Sequence, residues 1–372
     1  MRRAVSLTAA LALLVIGCSG PASVPSASPS PAATADIRRA KLDITYSALV
    51  DQDVHKVTSK AALQGAIDAL RAEVKRTGGT DDFPPLQFQD STEVTLPDFD
   101  SFANAAASFA ARNKQITADR FADVAIDGML GASPDCHTYY VDKGGTVHRS
   151  RPEPTSGTAA MVPATGAVLG GPDQIGLIAK TLPGGIVYVT FSEFLISGTY
   201  KVTDEVKRML DKGVGAGAKA WLFDLRGNRG GNGADLMASW FLNGEPTLAI
   251  VVKTGSAGTA SANKDLRLPS AYQLPIAIVL NNRGGSAPEV FAASLKENKR
   301  ATVVGQKSVG CLGATSPTQL SDGSLISIAS QEFSGAVTGT RYNNNGIVPD
   351  VQADDASAVD RAIEVLRARI GA

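Results

Sequence analysis

The hydrophobic pattern of the first part of the chain is helical. Between residues 60 and 75, apolar side chains recur at steps of four, three and four, which is the spacing of one helix face. These side chains are Leu63, Ile67, Leu70 and Val74. Looser helical patterns follow over residues 102–111 and 117–130, and Thr117 is suited to cap the second of them. The sequence therefore predicts a mostly helical segment over residues 36–141.

From residue 175 onward, short apolar runs alternate with helical patterns. Such runs are typical of strands that are buried on both faces of a largely parallel sheet. The predicted strands are residues 185–191, 220–225, 248–253, 276–280, 302–304 and 325–329, and the predicted helices are residues 201–212, 234–242, 288–298 and 356–370. Residues 175–372 are therefore expected to form an α/β core. Residues 142–174, rich in Gly, Pro, Ser and Thr, are expected to form a connector of loops.

The first residues have the pattern of an export signal. In residues 1–17, two arginines precede an apolar run that is too short for a stable membrane span. The run ends at Gly17-Cys18, which resembles a bacterial lipobox, although a plain secretory signal with an incidental cysteine is the alternative. Residues 18–35 are rich in Ser, Pro and Ala and predict an unfolded tether. We expect an exported chain, lipid-anchored through Cys18 on the outer face of a bacterial membrane.

Composition excludes several classes of partner. Lys and Arg total 36, and Asp and Glu also total 36, so no basic field is available to bind the backbone of a nucleic acid. The three cysteines and three histidines show neither C-x-x-C nor H-E-x-x-H spacing, and no metal centre is predicted. A hydrophobic content of 44% is that of an ordinary folded protein.

Two turns are candidates for chemistry. Residues 224–231 and 281–287 each follow an apolar run and precede a helix. Backbone N–H groups at the start of a helix are free to bind an oxyanion. Ser286 directly follows Gly-Gly in the second turn, which is a suitable position for an attacking hydroxyl. The same position is also that of an ordinary N-cap, because Ser286 precedes Pro288 and Glu289.

Four blocks, taken in order, resemble the tail-specific (C-terminal processing) serine peptidases. They are DLRGNRGG, PIAIVLNNRGGSAPEVFAASLKENKRATVVGQ, LSDGSLISI and NNNGIVPDV, and the similarity runs over residues 120–353. The resemblance implies a ClpP/crotonase-like α/β core, here with a preceding N-terminal helical segment. It also implies that Ser286 is the nucleophile. The backbone N–H groups of Ala287 and of the glycine pair, Gly231 rather than Gly230, would form the oxyanion hole.

The general base follows from the same resemblance. The best-known branch of the family uses a lysine at the position of Cys311, whereas a second branch uses the histidine of a D-x-H-T segment, which is present here as residues 135–138. We therefore expect His137 to be the base. The alternatives are Lys307 as base and His137 as a mere surface loop residue. The second branch adds a glutamate where this chain has Asn343, whose carbonyl oxygen could accept the imidazole N–H without supplying a charge.

The remaining two cysteines are expected to lie near the site, and the remaining two histidines are not. Cys136 precedes the expected base, and Cys311 stands where the lysine branch reaches the nucleophile, so both should border one site. An oxidising compartment favours a Cys136–Cys311 disulfide, with two buried unpaired thiols as the alternative. His55 and His148 lie in no motif and are expected to be solvated.

The sequence thus predicts an extracytoplasmic, membrane-anchored serine peptidase. It would hydrolyse protein or peptide substrates through a Ser286 acyl-enzyme, with His137 as general base and no cofactor. The alternative is a catalytically inactive lipoprotein that uses the same fold as a binding module. That alternative is motivated by the missing lysine, the missing glutamate and the missing PDZ domain, for which residues 142–174 leave no room.

Overall fold

The computed structural model describes residues 31–149 and 160–371, with side chains from residue 38 onward. The predicted signal segment, Cys18 and most of the predicted tether lie outside the described residues. The first helix begins at Pro31, so the last residues of the predicted tether are helical. Proline is tolerated in the first turn of a helix, and the alanines that follow it have high helix propensity. None of the described helices is both long and apolar enough to cross a bilayer.

The N-terminal part is mostly helical, as expected, but it has four helices where the sequence patterns indicated three, since the first helix was not predicted. The four helices are α1 (Pro31–Gln52), α2 (Ser59–Arg76), α3 (Leu96–Arg112) and α4 (Ala118–Leu130). The Thr117 hydroxyl accepts a hydrogen bond from the N–H of Arg120 and caps α4 as expected. Helices α2 and α4 approach closely, since a Cβ at Gly65 would clash with the backbone carbonyl of Gly128. The apolar faces of the four helices meet in one buried core.

The rest of the described chain contains strands, four more α-helices and two short 3-10 helices. The strands are β1 (Tyr139–Val141), β2 (Val147–Arg149), β3 (Ala167–Gly170), β4 (Ile178–Leu182), β5 (Ile186–Thr190), β6 (Ile196–Ser197), β7 (Tyr200–Lys201), β8 (Ala220–Asp224), β9 (Pro246–Val252), β10 (Gly255–Ser261), β11 (Ile276–Leu280), β12 (Ala301–Gly305), β13 (Gly313–Gln319), β14 (Leu325–Gly335) and β15 (Val351–Gln352). The helices are α5 (Val202–Gly215), α6 (Ala234–Ser239), α7 (Ala287–Glu297) and α8 (Ala358–Ile370).

The larger sheet is the predicted parallel sheet. Its order is β15-β12-β11-β8-β5-β4-β3. The neighbours from β15 to β5 in this order pair in parallel, and β4 and β3 pair antiparallel at one edge. Side chains alternate between its two faces. Trp221 and Phe223 pack in the core that α5, α6 and α7 share, whereas Leu222 packs in the core beneath α8. The structure confirms the predicted α/β core with a preceding helical segment.

A second, antiparallel sheet departs from the prediction. It has the order β10-β9-β14-β1-β2, and β13 also pairs with β14. The runs at residues 248–253 and 325–329 were expected in the parallel sheet, but they belong to β9 and β14 of this second sheet. The connector over residues 142–174 is likewise not only loops, since it contains β2 and β3. Strand β1 pairs with β14, Tyr139 opposite Ser327, and so joins the helical segment to the core.

Candidate active site

Ser286 lies at the N-terminus of α7, just beyond the carboxyl end of β11. Its backbone has φ 69° and ψ −118°, which is neither helical nor the extended conformation of an ordinary N-cap. Such a conformation is costly for a residue with a Cβ and is characteristic of functional turns. The Ser286 N–H donates to Glu289 Oε2 at 2.9 Å, as in a capping box. Ser286 therefore occupies the N-cap position of α7, but an N-cap role does not explain its strained backbone.

The side chain of Glu289 holds the turn at Ser286 in place. Its side chain is fully buried, and its carboxylate accepts the N–H groups of Gly310 at 2.6 Å and Cys311 at 2.8 Å as well as that of Ser286. The Ser308 hydroxyl donates to the same carboxylate. Burial raises the pKa of Glu289, because the hydrogen bonds only partly offset the loss of solvation. From the sequence, Glu289 was only a marker of the serine turn, and its structural role was missed.

His137 approaches Ser286 from the helical side of the molecule. Its Nε2 atom lies 3.4 Å from Ser286 Oγ, and its side chain is 18% exposed. The neighbouring Thr138 hydroxyl accepts the N–H of Ala329 in β14 at 3.1 Å, which anchors the D-x-H-T segment to the second sheet. His137 is therefore not a free surface loop residue. The expected nucleophile and the expected base lie together, at a distance typical of an unliganded site.

Asp135 supports His137 directly. Its Oδ1 atom accepts both the His137 side-chain Nδ1–H at 3.0 Å and the His137 backbone N–H at 2.8 Å. Burial alone would raise the pKa of Asp135, but hydrogen bonds from His137, His55 and Asn343 outweigh it and bring that pKa well below its usual range. From the sequence, Asp135 was expected only as the first residue of the D-x-H-T segment, without a role of its own. Its place two residues before the histidine was the signal that could have identified it.

Asn343 does not make its predicted contact. It was expected to accept the imidazole N–H, but Asp135 occupies that position on His137. The Asn343 side chain instead donates from Nδ2 to Asp135 Oδ2 at 2.7 Å, and its Oδ1 accepts the N–H of Leu312 at 3.0 Å. Asn343 therefore contacts the carboxylate of Asp135 rather than the imidazole of His137.

The two histidines that were expected to be solvated are both paired. The His55 side chain is only 12% exposed, and its Nε2 donates to Asp135 Oδ2 at 2.9 Å. The His148 side chain is 20% exposed, and its Nε2 lies 3.1 Å from Asp142 Oδ2. The expectation was wrong because the packing of α1 and β2 against the core covers these side chains, which local motifs do not reveal.

The expected oxyanion donors border Ser286. A Cβ at Gly230 would lie 2.8 Å from the Cβ of Ser286, and φ is 93° there, so only glycine fits. The Gly230 N–H donates to Asn228 Oδ1 at 3.0 Å. Within the described residues, the N–H groups of Gly231 and Ala287 donate to no protein acceptor. These two groups are therefore available to an incoming oxyanion, in line with the preference for Gly231 over Gly230.

Cys136 and Cys311 form a disulfide beside the imidazole. Their Cα atoms are 6.1 Å apart, and the Cys311 Sγ lies 3.6 Å from His137 Nε2. The ligand atoms of Cys136, His137 and Cys311 all lie within 4.8 Å of one another. Because the two sulfurs are bonded to each other, they present no thiolates to a metal in this state. Lys307, the alternative base, lines a separate cavity with Gln352.

A cavity of about 350 Å³ opens next to Ser286. Side chains from α7, β9 and β14 give it a largely apolar wall, and the glycine turn after β8 also lines it. The apolar wall residues include Leu248, Ile250, Ala287, Val290 and Phe333. The site therefore combines a strained serine, a half-buried histidine paired with a buried aspartate, two available N–H groups and an apolar recess.

Comparisons with known proteins agree with this arrangement. Residues 185–353 match the family model described as Peptidase family S41, and this range contains Ser286 and the glycine turn. Residues 185–353 are thus similar to peptidase family S41. This confirms the resemblance that the sequence blocks indicated. The match begins after the D-x-H-T segment, so it does not cover His137.

Individual relatives align with less than half of the chain. A carboxyl-terminal-processing protease of Synechocystis is 32% identical over 41% of this chain and 34% of its own length. The carboxy-terminal processing protease CtpA of Bacillus subtilis is 28% identical over 46% of this chain and 35% of its own length. The alignment thus spans about a third of these curated relatives. The crystal structure of mature CPAF shares the fold, with a TM-score of 0.53 at 10% identity over 90% of this chain and 97% of that chain.

Proposed function

We propose that this chain belongs to peptidase family S41 and is a serine peptidase in which Ser286 attacks a peptide carbonyl and His137 is the general base. The observation that carries the proposal is the line of contacts from Asp135 through His137 to Ser286. A nucleophile beside a base, with the base oriented by a third group, is the arrangement of serine hydrolases. The apolar recess beside Ser286 suits an uncharged side chain of a protein or peptide substrate.

These contacts support the following reaction sequence. Because Asp135 accepts the Nδ1–H, the neutral imidazole presents a lone pair on Nε2 to the Ser286 hydroxyl. As Oγ bonds to the substrate carbonyl carbon, His137 takes the hydroxyl proton, and the N–H groups of Gly231 and Ala287 stabilise the oxyanion. His137 then protonates the leaving amine, and the acyl-enzyme forms. Water, deprotonated by His137, releases the acyl group and restores the serine.

We further propose that the mature chain is exported and held at the outer face of a bacterial membrane through lipid on Cys18. The signal-like residues 1–17 and the lipobox-like Gly17-Cys18 support this proposal. The Cys136–Cys311 disulfide also suits an oxidising compartment.

A fluorophosphonate probe tests the proposed activity, because it modifies only an activated serine. We expect covalent labelling at Ser286 and hydrolysis of an unfolded protein, with both lost in Ser286→Ala and in His137→Ala. Ser101→Ala is the control, since Ser101 is an exposed serine of α3. A folded protein that neither reacts with the probe nor hydrolyses the substrate would instead fit an inactive binding module.

A further inference from the structure

Asp135 is shared by two histidines. Its Oδ1 atom accepts the Nδ1–H of His137 at 3.0 Å, and its Oδ2 atom accepts the Nε2–H of His55 at 2.9 Å. We propose that His55 is a positioning residue, which holds Asp135 in place behind His137 and, when protonated, weakens the support that Asp135 gives to His137. The catalytic part of this inference rests on the proposed peptidase function, whereas the coupling between the two histidines does not.

The backbone around His55 is fixed from two sides. The N–H of Val54 donates to the carbonyl of Ala329 in β14 at 2.9 Å, which ties the end of α1 to the second sheet. Asp53 Oδ1 accepts the His55 backbone N–H at 2.8 Å, and Asp53 Oδ2 accepts the Ser133 hydroxyl at 2.6 Å. Ser133 lies just before Asp135 in the chain. The same turn therefore positions His55 and the segment that carries Asp135, as a positioning role requires.

The surroundings of His55 favour its charged form. Burial by itself lowers the pKa of His55, but the hydrogen bond to Asp135 and nearby carboxylates raise that pKa above its usual value. The carboxylates are those of Asp53, Asp135 and Glu332. His55 also lines a cavity of its own, apart from the recess beside Ser286, and the cations of that cavity are Lys56, Lys253 and Arg341.

Two of these cations are engaged elsewhere. Arg341 pairs with Glu332 at 2.9 Å, and the Lys253 ammonium donates to the backbone carbonyls of Val50 and Thr92. The cavity has a volume of about 410 Å³ and is partly open, which gives His55 a route for proton exchange with solvent. His55 can therefore titrate while the site remains folded.

The direction in which the charge of His55 affects His137 follows from the carboxylate that the two histidines share. When His55 is cationic, its charge opposes a second positive charge on His137, so His137 is a weaker base. When pH rises and His55 becomes neutral, the charge of Asp135 supports the His137 imidazolium without competition. Two such sites titrate as a coupled pair. Removing the charge of His55 should therefore make His137 a stronger base.

Histidine NMR tests the coupling without relying on catalysis. The chain has only three histidines, so each ring resonance can be assigned from a single variant. His55→Gln replaces the ring by a neutral amide with a side-chain N–H donor. We expect the His137 titration midpoint to rise by on the order of half a pH unit or more in this variant. His148→Gln is the matched control, because His148 pairs with Asp142 rather than with Asp135, and it should leave the midpoint unchanged. An unchanged His137 midpoint in folded His55→Gln protein would overturn the coupling.

Kinetics test the positioning role. If the peptidase function holds, the acid limb of the kcat/KM profile should move to higher pH in His55→Gln, with KM little changed. His55→Ala, which also removes the donor, should lower kcat by about tenfold at all pH values, and the glutamine variant should restore the high-pH rate. Equal, pH-independent losses in both variants would overturn the positioning role. A wild-type protein that hydrolyses nothing, yet shows the NMR shift, would refute the peptidase proposal and leave the coupling intact.

Discussion

Asp135 Oδ1 lies 3.0 Å from His137 Nδ1, although only one residue separates the two in the chain. The local turn that the D-x-H-T segment makes between α4 and β1 brings the carboxylate back onto the imidazole, and the backbone N–H of His137 donates to the same oxygen. The proposed orienting acid and the proposed base thus come from one short segment. No distant glutamate is needed to fix the imidazole.

The first prediction concerns this pair. Asp135→Asn keeps the side-chain shape, but its amide group can favour the wrong imidazole tautomer and supplies no charge to the imidazolium. We expect kcat to fall by on the order of 10³- to 10⁴-fold with little change in KM. Steady-state kinetics on an unfolded protein substrate measure this, with circular dichroism to verify folding. Asp142→Asn, which alters the pair with His148, is the matched control. Full activity in Asp135→Asn would remove Asp135 from the mechanism.

A second prediction concerns Asn343. The family resemblance alone favours a gain of activity in Asn343→Glu, because glutamate is the residue of the related branch. The structure predicts the reverse, since the new carboxylate would replace an N–H donor to Asp135 by a like charge. We expect kcat/KM at neutral pH to fall by about tenfold or more. The exposed neighbour Asn345→Glu is the control. A higher rate in Asn343→Glu would show that residue 343 reaches the imidazole instead.

A third prediction concerns export. We expect the mature N-terminus to be a lipid-modified Cys18, and Cys18→Ser to yield a soluble or unprocessed chain. Mass spectrometry of the N-terminal peptide measures this in the producing cell, and membrane fractionation of the two proteins gives a second readout. An unmodified peptide that spans Gly17 and Cys18 would contradict the lipobox interpretation.

Local patterns predicted the parts of the molecule that depend on local chemistry. The apolar run at residues 276–280 and the Gly-Gly-Ser turn after it identified β11 and the position of Ser286. Strand β14 was recognised as a strand but assigned to the wrong sheet, because an apolar run does not specify its partners. His55 lies eighty positions before Asp135. A contact across such a distance depends on how α1 packs against β14, and no motif in a single sequence encodes it.

The last prediction concerns the Cys136–Cys311 disulfide. It joins residues 175 positions apart and ties the segment that carries His137 to the loop that Glu289 binds. A covalent link over so long a loop restricts the unfolded chain, which in the chain-entropy model stabilises the fold by about 5 kcal/mol. The free energy of unfolding, measured with a denaturant, should fall by an amount of that order when a dithiol reductant is added. Residual structure in the reduced, unfolded chain would make this loss smaller.

The Cys136→Ser/Cys311→Ser double variant separates the bridge from other effects of the reductant. It should resemble the reduced wild-type protein, and added reductant should not change its unfolding curve. We also expect kcat to fall on reduction, because both sulfurs pack against the His137 ring, at 3.4 Å from Cys136 Sγ to Nδ1 and 3.6 Å from Cys311 Sγ to Nε2. Titration of two free thiols in the denatured, unreduced chain, once Cys18 is replaced by serine, would contradict the bridge. That result would leave the Ser286–His137 contact to be judged by its own variants.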